Sequence, residues 1–280
     1  METATLLIRC PDTKGIVAGI SDFLFRHDAN IIQSDQHSSD PENGTFFMRV
    51  EFLSDSQSRS ALEAEFAVIA SEIGAEWQIH YSNDVMNMGI LVSRQDHCLF
   101  DLLYRWRSGE LKVNIPFVIS NHPDVGPLVE QFGVAFYHFP VGENKLQQEE
   151  KILQIAKDKS EFLVLARYMQ IISPQFLSQY KGDIINIHHS FLPSFKGANP
   201  YRQAYNRGVK VIGATAHFVT EDLDEGPIIE QVVERVSHRD NEKSMKKKGK
   251  NLEKLALANA IGLYSEHRII RFQNKTIVFS

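Results

Sequence analysis

The chain has 280 residues, of which 43% are apolar and 23% charged, and its formal net charge is −5. This is long enough for two domains with buried cores, and the composition is that of an ordinary globular protein. The acidic charge argues against a general nucleic-acid-binding protein, and the two cysteines, Cys10 and Cys98, predict neither a disulfide framework nor a metal site. Without a signal-peptide pattern or a long apolar run, we expect a cytoplasmic protein with no membrane partner.

The first 84 residues predict a small domain in which strands and helices follow in the order βαββαβ. A β-prone run comes first, and a helix with apolar residues on one face begins after Gly15. The order is the ferredoxin-like arrangement. The predicted elements are a strand over 4–10, a helix from 16 to 24, strands over 30–36 and 46–52, a helix over 62–73 and a strand over 77–81.

The turn after the first strand reads Cys10-Pro11-Asp12-Thr13-Lys14-Gly15-Ile16. With the element order, it resembles the ACT family of ligand-sensing modules, which usually pair with another copy. The resemblance places Asp12, Gly15 and Asn30 in an effector site at a dimer interface. It implies a homodimer or homotetramer that responds to a small amino acid such as glycine or methionine. On the residues alone, Asp12 and Gly15 are equally explained by a turn and a helix start.

From residue 85 to residue 280, strands alternate with helices, which predicts a second, Rossmann-like α/β domain with a mostly parallel sheet. A further strand, a long helix and a terminal hairpin are predicted over 228–236, 241–267 and 269–279. The preceding strands are predicted over 88–93, 113–120, 135–139, 162–166, 183–187 and 211–219, and the helices over 97–108, 124–132, 145–159, 174–180 and 199–207.

Polar residues lie at the ends of two of these strands, Asn186 and His188 at the end of one and Asp224 after the other. Ligands of open α/β sheets bind outside the carboxyl ends of the strands, so we expect the three side chains to meet there. An amide that holds a carbonyl oxygen, an imidazole that exchanges a proton and a carboxylate that orients imidazole or water suit chemistry on a carbonyl carbon. His189 should point away from His188 on an extended chain, and we interpret His189 and His217 as structural. Their spacing predicts no metal site.

Three motifs carry a second resemblance: Asn186-Ile187-His188-His189-Ser190-Phe191-Leu192-Pro193, Pro200-Tyr201-Arg202-Gln203-Ala204-Tyr205 and Leu223-Asp224-Glu225-Gly226-Pro227, with Gly197-Ala198 between the first two. They resemble the folate-dependent formyltransferase superfamily and, within it, the formyltetrahydrofolate deformylases. The resemblance covers essentially the whole chain. It implies hydrolysis of 10-formyltetrahydrofolate by water to tetrahydrofolate and formate, which supplies purine synthesis, with no cofactor. Asn186, His188 and Asp224 are the implied catalytic residues.

The same resemblance assigns a folate pocket and a missing acceptor site. Transferases of this superfamily that formylate a phosphorylated ribosyl amine carry a Gly-Ser-Asn-type loop where this chain has the glycine-free turn Ser93–Cys98. Phosphate cradles need glycine for close backbone approach, so we expect no phosphorylated acceptor. The five lysines of Lys243–Lys250 are interpreted as a solvated helix face, with a glutamylated folate tail as the alternative. The implied substrate-binding residues are Tyr168, Met169, Gln170, Ile171, Ile172, Val219, Thr220 and Glu221.

Two other functions stay open at this point. The first is a formyltransferase that passes the same group to an amine with the same three residues. The second is an amino-acid sensor with a degenerate catalytic domain, which the intact set of Asn186, His188 and Asp224 disfavours. The sequence also leaves open whether His188 or Asp224 takes the first proton.

Overall fold

The computed structural model describes residues 2–40, 42–54, 59–142, 144–194 and 199–279. The chain forms two compact units, one made of Met1–Val85, His267–Phe272 and Ile277–Ser280, the other of Met86–Glu266 and Gln273–Thr276. The motif residues Gly197 and Ala198 lie outside the described residues. Over the ranges that are described, no helix is long and apolar enough to cross a membrane.

The first unit has the predicted βαββαβ order and a four-stranded antiparallel sheet in the order β2-β3-β1-β4. Both helices cover one face of this sheet, where Phe23 and Phe66 pack with the alternate strand residues Ile8, Val50 and Phe52. Period-two alternation therefore supplies the core-facing side of each strand. The elements are β1 Glu2–Pro11, α1 Ile16–Arg26, β2 Asn30–Ser38, β3 Thr45–Ser54, α2 Arg59–Glu72 and β4 Glu76–Tyr81.

A C-terminal hairpin, β12 Ile269–Phe272 and β13 Lys275–Val278, supplies most of the remaining residues of the first unit. Leu7 and Phe47 are buried against Phe272 and Phe279, so the hairpin covers strand residues that alternate with those under the helices. By sequence the hairpin follows the last helix of the second unit, which is why its pattern alone assigns it there. Its grouping with the first unit depends on this apolar cluster.

The second unit is an α/β structure with a seven-stranded sheet in the order β11-β10-β9-β8-β5-β6-β7. The five strands from β5 to β9 are parallel, whereas β10 is antiparallel to both of its neighbours. The predicted mostly parallel sheet is confirmed. The elements are β5 Asn87–Val92, α3 His97–Arg107, β6 Asn114–Ser120, α4 Gly126–Gln131, β7 Ala135–His138, α5 Lys145–Lys159, β8 Phe162–Ala166, α6 Pro174–Gln179, β9 Asp183–His188, α7 Pro200–Arg207, β10 Val211–Phe218, β11 Ile228–Arg235 and α8 Glu242–Ser265.

The central strands of this unit are buried on both faces, as parallel strands between helices usually are. All five residues of β8 are buried. At the carboxyl ends of β5 and β8, the backbone N–H of Ser93 donates to the carbonyl of Arg167 at 3.2 Å, and the Ser93 hydroxyl accepts from the N–H of Met169 at 3.0 Å. These bonds hold the segment after β8 at the edge of the sheet where β9 ends.

Candidate active site

Asn186 and His188 lie two residues apart on β9, so their side chains leave the same face of the sheet. Antiparallel pairing places His217 of β10 opposite Asn186 and Thr215 opposite His188. The hydroxyl of Thr215 donates to the carbonyl of Ser190 at 2.9 Å and accepts from the N–H of Leu192 at 3.0 Å. It therefore holds the chain that leaves β9 directly beside His188.

Asp224 reaches the same place by a return of its loop. The sequence predicts that Asp224 meets His188 because the carboxyl ends of the two preceding strands lie together. That explanation is wrong, since β10 runs antiparallel to β9. The loop doubles back instead: the N–H of Phe218 donates to the carbonyl of Pro227 at 2.9 Å. Gly226 is required here, since a Cβ would overlap the Phe218 carbonyl. Asp224 adopts a left-handed φ of 57°, which aspartate tolerates better than most residues.

The Asp224 carboxylate contacts two imidazoles. Its Oδ1 lies 3.2 Å from Nδ1 of His188 and 3.7 Å from Nε2 of His217. Burial raises the pKa of Asp224, but its interactions, chiefly the hydrogen bond with His188, outweigh this and lower the pKa well below the ordinary value. With Nδ1–H donating to Asp224, the Nε2 atom of His188 carries the lone pair. Among the described residues, this buried Nε2 has no hydrogen-bond partner.

His217 holds the amide of Asn186. Its Nδ1 lies 2.9 Å from the carbonyl oxygen of Phe218, so this nitrogen donates. In the neutral tautomer Nε2 then accepts from Nδ2 of Asn186, 3.2 Å away. We interpreted His217 as structural, yet it is 2% exposed and contacts two residues of the predicted site. Only the register of β10 against β9 could have revealed this.

The site lines a cavity of about 510 Å³. All three predicted catalytic residues and all eight predicted substrate-binding residues line it. Three apolar side chains on it are largely exposed: Met169 at 56%, Ile171 at 60% and Leu223 at 58%. Exposed apolar groups around a cavity favour a flat, partly apolar ligand. The lining also includes residues that we did not predict: Gln95, Leu165, Arg167, Ile187, His189, Asn199, His217, Asp222 and Leu223.

Comparison with known proteins accounts for both units. Residues 86–261 match the formyl transferase family and residues 4–70 match the ACT domain family. A formyltetrahydrofolate deformylase of Synechocystis sp. is 50% identical over 99% of this chain and 99% of its own length. A crystal structure of a formyltetrahydrofolate deformylase from Pseudomonas syringae pv. tomato, 44% identical, gives a TM-score of 0.93 over 100% of this chain and 95% of that chain. The chain belongs to the formyltetrahydrofolate deformylase family.

Membership of the deformylase family confirms the resemblance identified from the motifs. A more distant structure, a glycinamide ribonucleotide transformylase from Symbiobacterium toebii, is 28% identical, with a TM-score of 0.67 over 72% of this chain and 97% of that one. The formyltransferase fold is thus shared by proteins named for two different activities, a deformylase and a transformylase. Groups near the acceptor must distinguish them, because a shared fold does not determine function.

His189 also lines the cavity of this deformylase-family chain, contrary to our expectation that only one of the adjacent histidines would face it. The reason is that β9 ends at His188, so strand alternation does not extend to His189. The rings of His188 and His189 have centroids 5.2 Å apart. Burial, and next the charge of Arg167, lower the pKa of His189 to about 4. His189 is therefore neutral at physiological pH.

A buried group of His97, Cys98 and Glu253 has the residue types of a metal site. Its carboxylate is already occupied: Glu253 accepts from His97 Nε2 at 2.7 Å and from the Tyr201 hydroxyl at 2.8 Å, and it lies 3.4 Å from Nε of Arg167. Burial and the nearby Glu253 charge raise the pKa of the Cys98 thiol well above its ordinary value. A guanidinium and a protonated thiol do not suit a cation, so we assign this group no metal.

The predicted effector residues are only partly brought together. Asp12 and Gly15 line a shallow depression of about 490 Å³, whereas Asn30 is not among its lining residues and is exposed at the start of β2. The carboxylate of Asp12 accepts from the Ser38 hydroxyl at 2.5 Å. Gly15 precedes α1 with a φ of 95°, a conformation that favours glycine. The turn geometry alone accounts for both residues, and their role in binding an effector stays a prediction.

Proposed function

We propose that the chain hydrolyses 10-formyltetrahydrofolate to tetrahydrofolate and formate. The observation that carries this proposal is the convergence of Asn186, His188 and Asp224 in a cavity that is also lined by exposed apolar side chains. The full-length similarity to deformylases supports hydrolysis over formyl transfer. Released formate is a one-carbon unit for purine synthesis. The reaction needs only substrate and water, so the proposal includes no cofactor.

The oxyanion is the first requirement, because attack on the formyl carbon moves negative charge onto the formyl oxygen. Asn186 is suited to it: one N–H of its amide donates to His217, which orients the amide so that the other N–H serves the oxygen. A preorganised donor of this kind stabilises the transition state without reorganisation. Asn186 is therefore assigned as an oxyanion donor.

Proton transfer is assigned to His188. The strongly lowered pKa of Asp224 makes this carboxylate a weak base, whereas Nε2 of His188 is left as an acceptor by the bond from Nδ1 to Asp224. His188 takes a proton from water as its oxygen attacks the formyl carbon. It then returns the proton to the folate nitrogen as the C–N bond breaks. Asp224 orients the imidazole and stabilises its charged form. The second proton of the attacking water is released to solvent when the formic acid product ionises to formate.

The folate ring is assigned to the strip formed by two segments, Tyr168–Ile172 and Val219–Glu221. The first follows the buried strand β8 and the second follows β10, so rigid strands position both. Backbone groups of these segments can read the ring edges, while Met169 and Ile171 supply apolar contact. The Lys243–Lys250 group is separate: Lys246 pairs with Glu242 and Lys248 with Glu234, as a solvated face would.

The first unit is proposed as a regulatory and oligomer-forming domain. Matching residues 4–70 to the ACT family supports small-molecule effector binding. The amino acid, glycine or methionine, with Asp12, Gly15 and Asn30 as its contacts, is a proposal from family resemblance. A homodimer or homotetramer is proposed on the same ground. A cytoplasmic location is proposed from the composition of the sequence and not from the ACT family.

One experiment tests the function directly. The full-length protein is incubated with 10-formyltetrahydrofolate in the absence of any amine, and formate and tetrahydrofolate are quantified. The expected result is one formate per tetrahydrofolate over many turnovers. The Asp224→Asn variant is the matched control, because it keeps nearly the same shape and loses the charge. No formate above this control would refute the proposal.

A further inference from the structure

Arg167 combines three unusual properties. It has a left-handed φ of 63°, a conformation that side-chain-bearing residues adopt at a free-energy cost relative to glycine. It is 6% exposed, although arginine is rarely buried without a partner. Among the described residues, it is also the one lysine or arginine that lines the catalytic cavity. Glycine would adopt this φ at a lower free-energy cost, so we infer that the arginine side chain has a role in the site that offsets the cost.

A buried ion pair holds this side chain. Nε of Arg167 lies 3.4 Å from Glu253 on α8, and the same carboxylate accepts from His97, the first residue of α3, and from Tyr201 on α7. Gly249, one turn before Glu253, leaves room for the Tyr201 hydroxyl. Burial raises the pKa of Glu253, but His97 and Arg167 outweigh it, so the pKa is lowered and the carboxylate stays ionised. Residues of α3 and α7 thus hold the Glu253 carboxylate that pairs with Arg167, while Nε of Arg167 itself forms the ion pair without a hydrogen bond among the described residues.

The side of the cavity on which Arg167 acts follows from the other lining residues. If the folate ring lies on the strip of 168–172 and 219–221, the attacking nucleophile meets the remaining polar group of the lining. Apart from His217, which contacts Asn186, and Asp222, which is exposed next to the second segment of the strip, that group consists of Gln95, Arg167, His189 and Asn199. The ring of His189 lies next to that of His188, and the positive charge of Arg167 contributes to the lowered pKa of His189. Arg167 therefore stands on the nucleophile side of the catalytic residues.

From this placement we propose that Arg167, held by Glu253, His97 and Tyr201, determines the formyl acceptor by reserving its place for water. The inference rests on the proposed function and deepens it. The guanidinium fills space that an amine would need, and it repels the ammonium form in which primary amines exist near neutral pH. Water is neutral and small, so it is not excluded. Arg167 does not take part in bond making; it acts on which nucleophile enters.

The test measures how the formyl group is partitioned. Full-length wild type, Arg167→Gly and Arg167→Lys are each incubated with 10-formyltetrahydrofolate and glycinamide, and N-formylglycinamide and formate are quantified by mass spectrometry. The ratio of the two products does not depend on the overall rate. We expect no enzymatic N-formylglycinamide from wild type or Arg167→Lys. In Arg167→Gly the ratio of N-formylglycinamide to formate should exceed the ratio from the uncatalysed reaction by about tenfold or more.

A second variant guards against misfolding, because Arg167→Gly leaves Glu253 buried without its cation. In Arg167→Gln/Glu253→Gln both charges are removed together and the side chains keep much of their length. This variant should also form N-formylglycinamide, though less than Arg167→Gly, since only the repulsion is lost. Formate as the sole product in either variant, when it is folded and turning over, would overturn the proposal. A wild type that releases no formate without an amine would instead refute the proposed function.

Discussion

The imidazole of His188 and the carboxylate of Asp224 are joined by a contact of 3.2 Å between Nδ1 and Oδ1, although one residue lies on a strand and the other on a loop beyond the neighbouring strand. The carboxylate keeps the proton on Nδ1 of His188, so that the lone pair of Nε2 can accept a proton. The same pairing of a carboxylate and an imidazole orients the general-base histidine of catalytic triads. The consequences can be measured residue by residue.

Replacing Asp224 by Asn should lower kcat by at least about 10²-fold, because the amide cannot stabilise the imidazolium and favours the wrong tautomer. Folate binding should change little, since the strip is untouched. Steady-state kinetics and titration with a non-hydrolysable folate give the two quantities. Loss of folate affinity with kcat retained would assign Asp224 to binding instead.

Replacing Asn186 by Ala should remove an oxyanion donor and reduce kcat by roughly 10²–10³-fold. The matched control is Asn251→Ala, which removes an exposed amide from α8 outside the cavity lining and leaves the contact between Asn186 and His217 in place. A near-normal kcat for Asn186→Ala, or an equal loss in both variants, would contradict the assigned role.

His217→Leu should lower kcat through Asn186, because the amide loses the acceptor that orients it. We expect a loss of about tenfold or more in kcat with a small change in KM. In the background of Asn186→Ala the same substitution should cost much less, since interacting residues are not additive. The double-mutant cycle measures this coupling, and full additivity would mean that His217 acts independently of Asn186.

The stacked pair of His80 and His267 should make stability depend on pH. Their rings lie 3.5 Å apart, and burial, together with His80, lowers the pKa of His267 to about 3. The folded state thus favours neutral His267. Its contribution is present above the ordinary histidine pKa, near 6.5, and is lost as the pH falls from there towards about 3. His267→Asn, which tolerates the positive φ of 53°, should show a smaller fall in Tm between about pH 7 and pH 5. Equal falls would contradict the assignment.

The effector proposal predicts that glycine or methionine changes deformylation by the full-length protein, and that Asp12→Ala abolishes the response. Asp22→Ala, an exposed carboxylate on α1, is the matched control. Coupling of about 1–3 kcal/mol is usual for such regulation, which corresponds to a change in affinity of 5–150-fold. Light scattering measures the oligomer in parallel. An unchanged response in Asp12→Ala would remove this residue from the effector site.

Local patterns in the sequence were sufficient for the order of the elements and for most of the residues that meet in the cavity. Alternation placed Asn186 and His188 on one face of β9, and the long motifs pointed to Asp224 and to the segments 168–172 and 219–221, all of which line the cavity. The direction of β10 was not encoded in its apolar pattern, because a buried strand is equally apolar in either direction. His217 was missed for that reason. Its contact with Asn186 exists only in the antiparallel register.

Long-range pairs were the other gap. Arg167, Glu253, His97 and Tyr201 lie on four different segments, and each reads locally as an ordinary loop or helix residue. Only the folded chain brings them to one carboxylate. The C-terminal hairpin is similar: its sequence predicts two strands, but its apolar partners, Leu7 and Phe47, lie near the other end of the chain. The periodicity of apolar residues predicts which face of a strand or helix is buried, but it does not predict which segment packs against that face.

The most direct test of the account asks where the second formate oxygen comes from. The full-length protein is given 10-formyltetrahydrofolate in water enriched in heavy oxygen, without any amine, and the formate is analysed by mass spectrometry. Water attack at the formyl carbon predicts one labelled oxygen in each formate, with tetrahydrofolate formed in equal amount. Formate without label, or no formate until an amine is supplied, would contradict the central claim that this site uses water as its nucleophile.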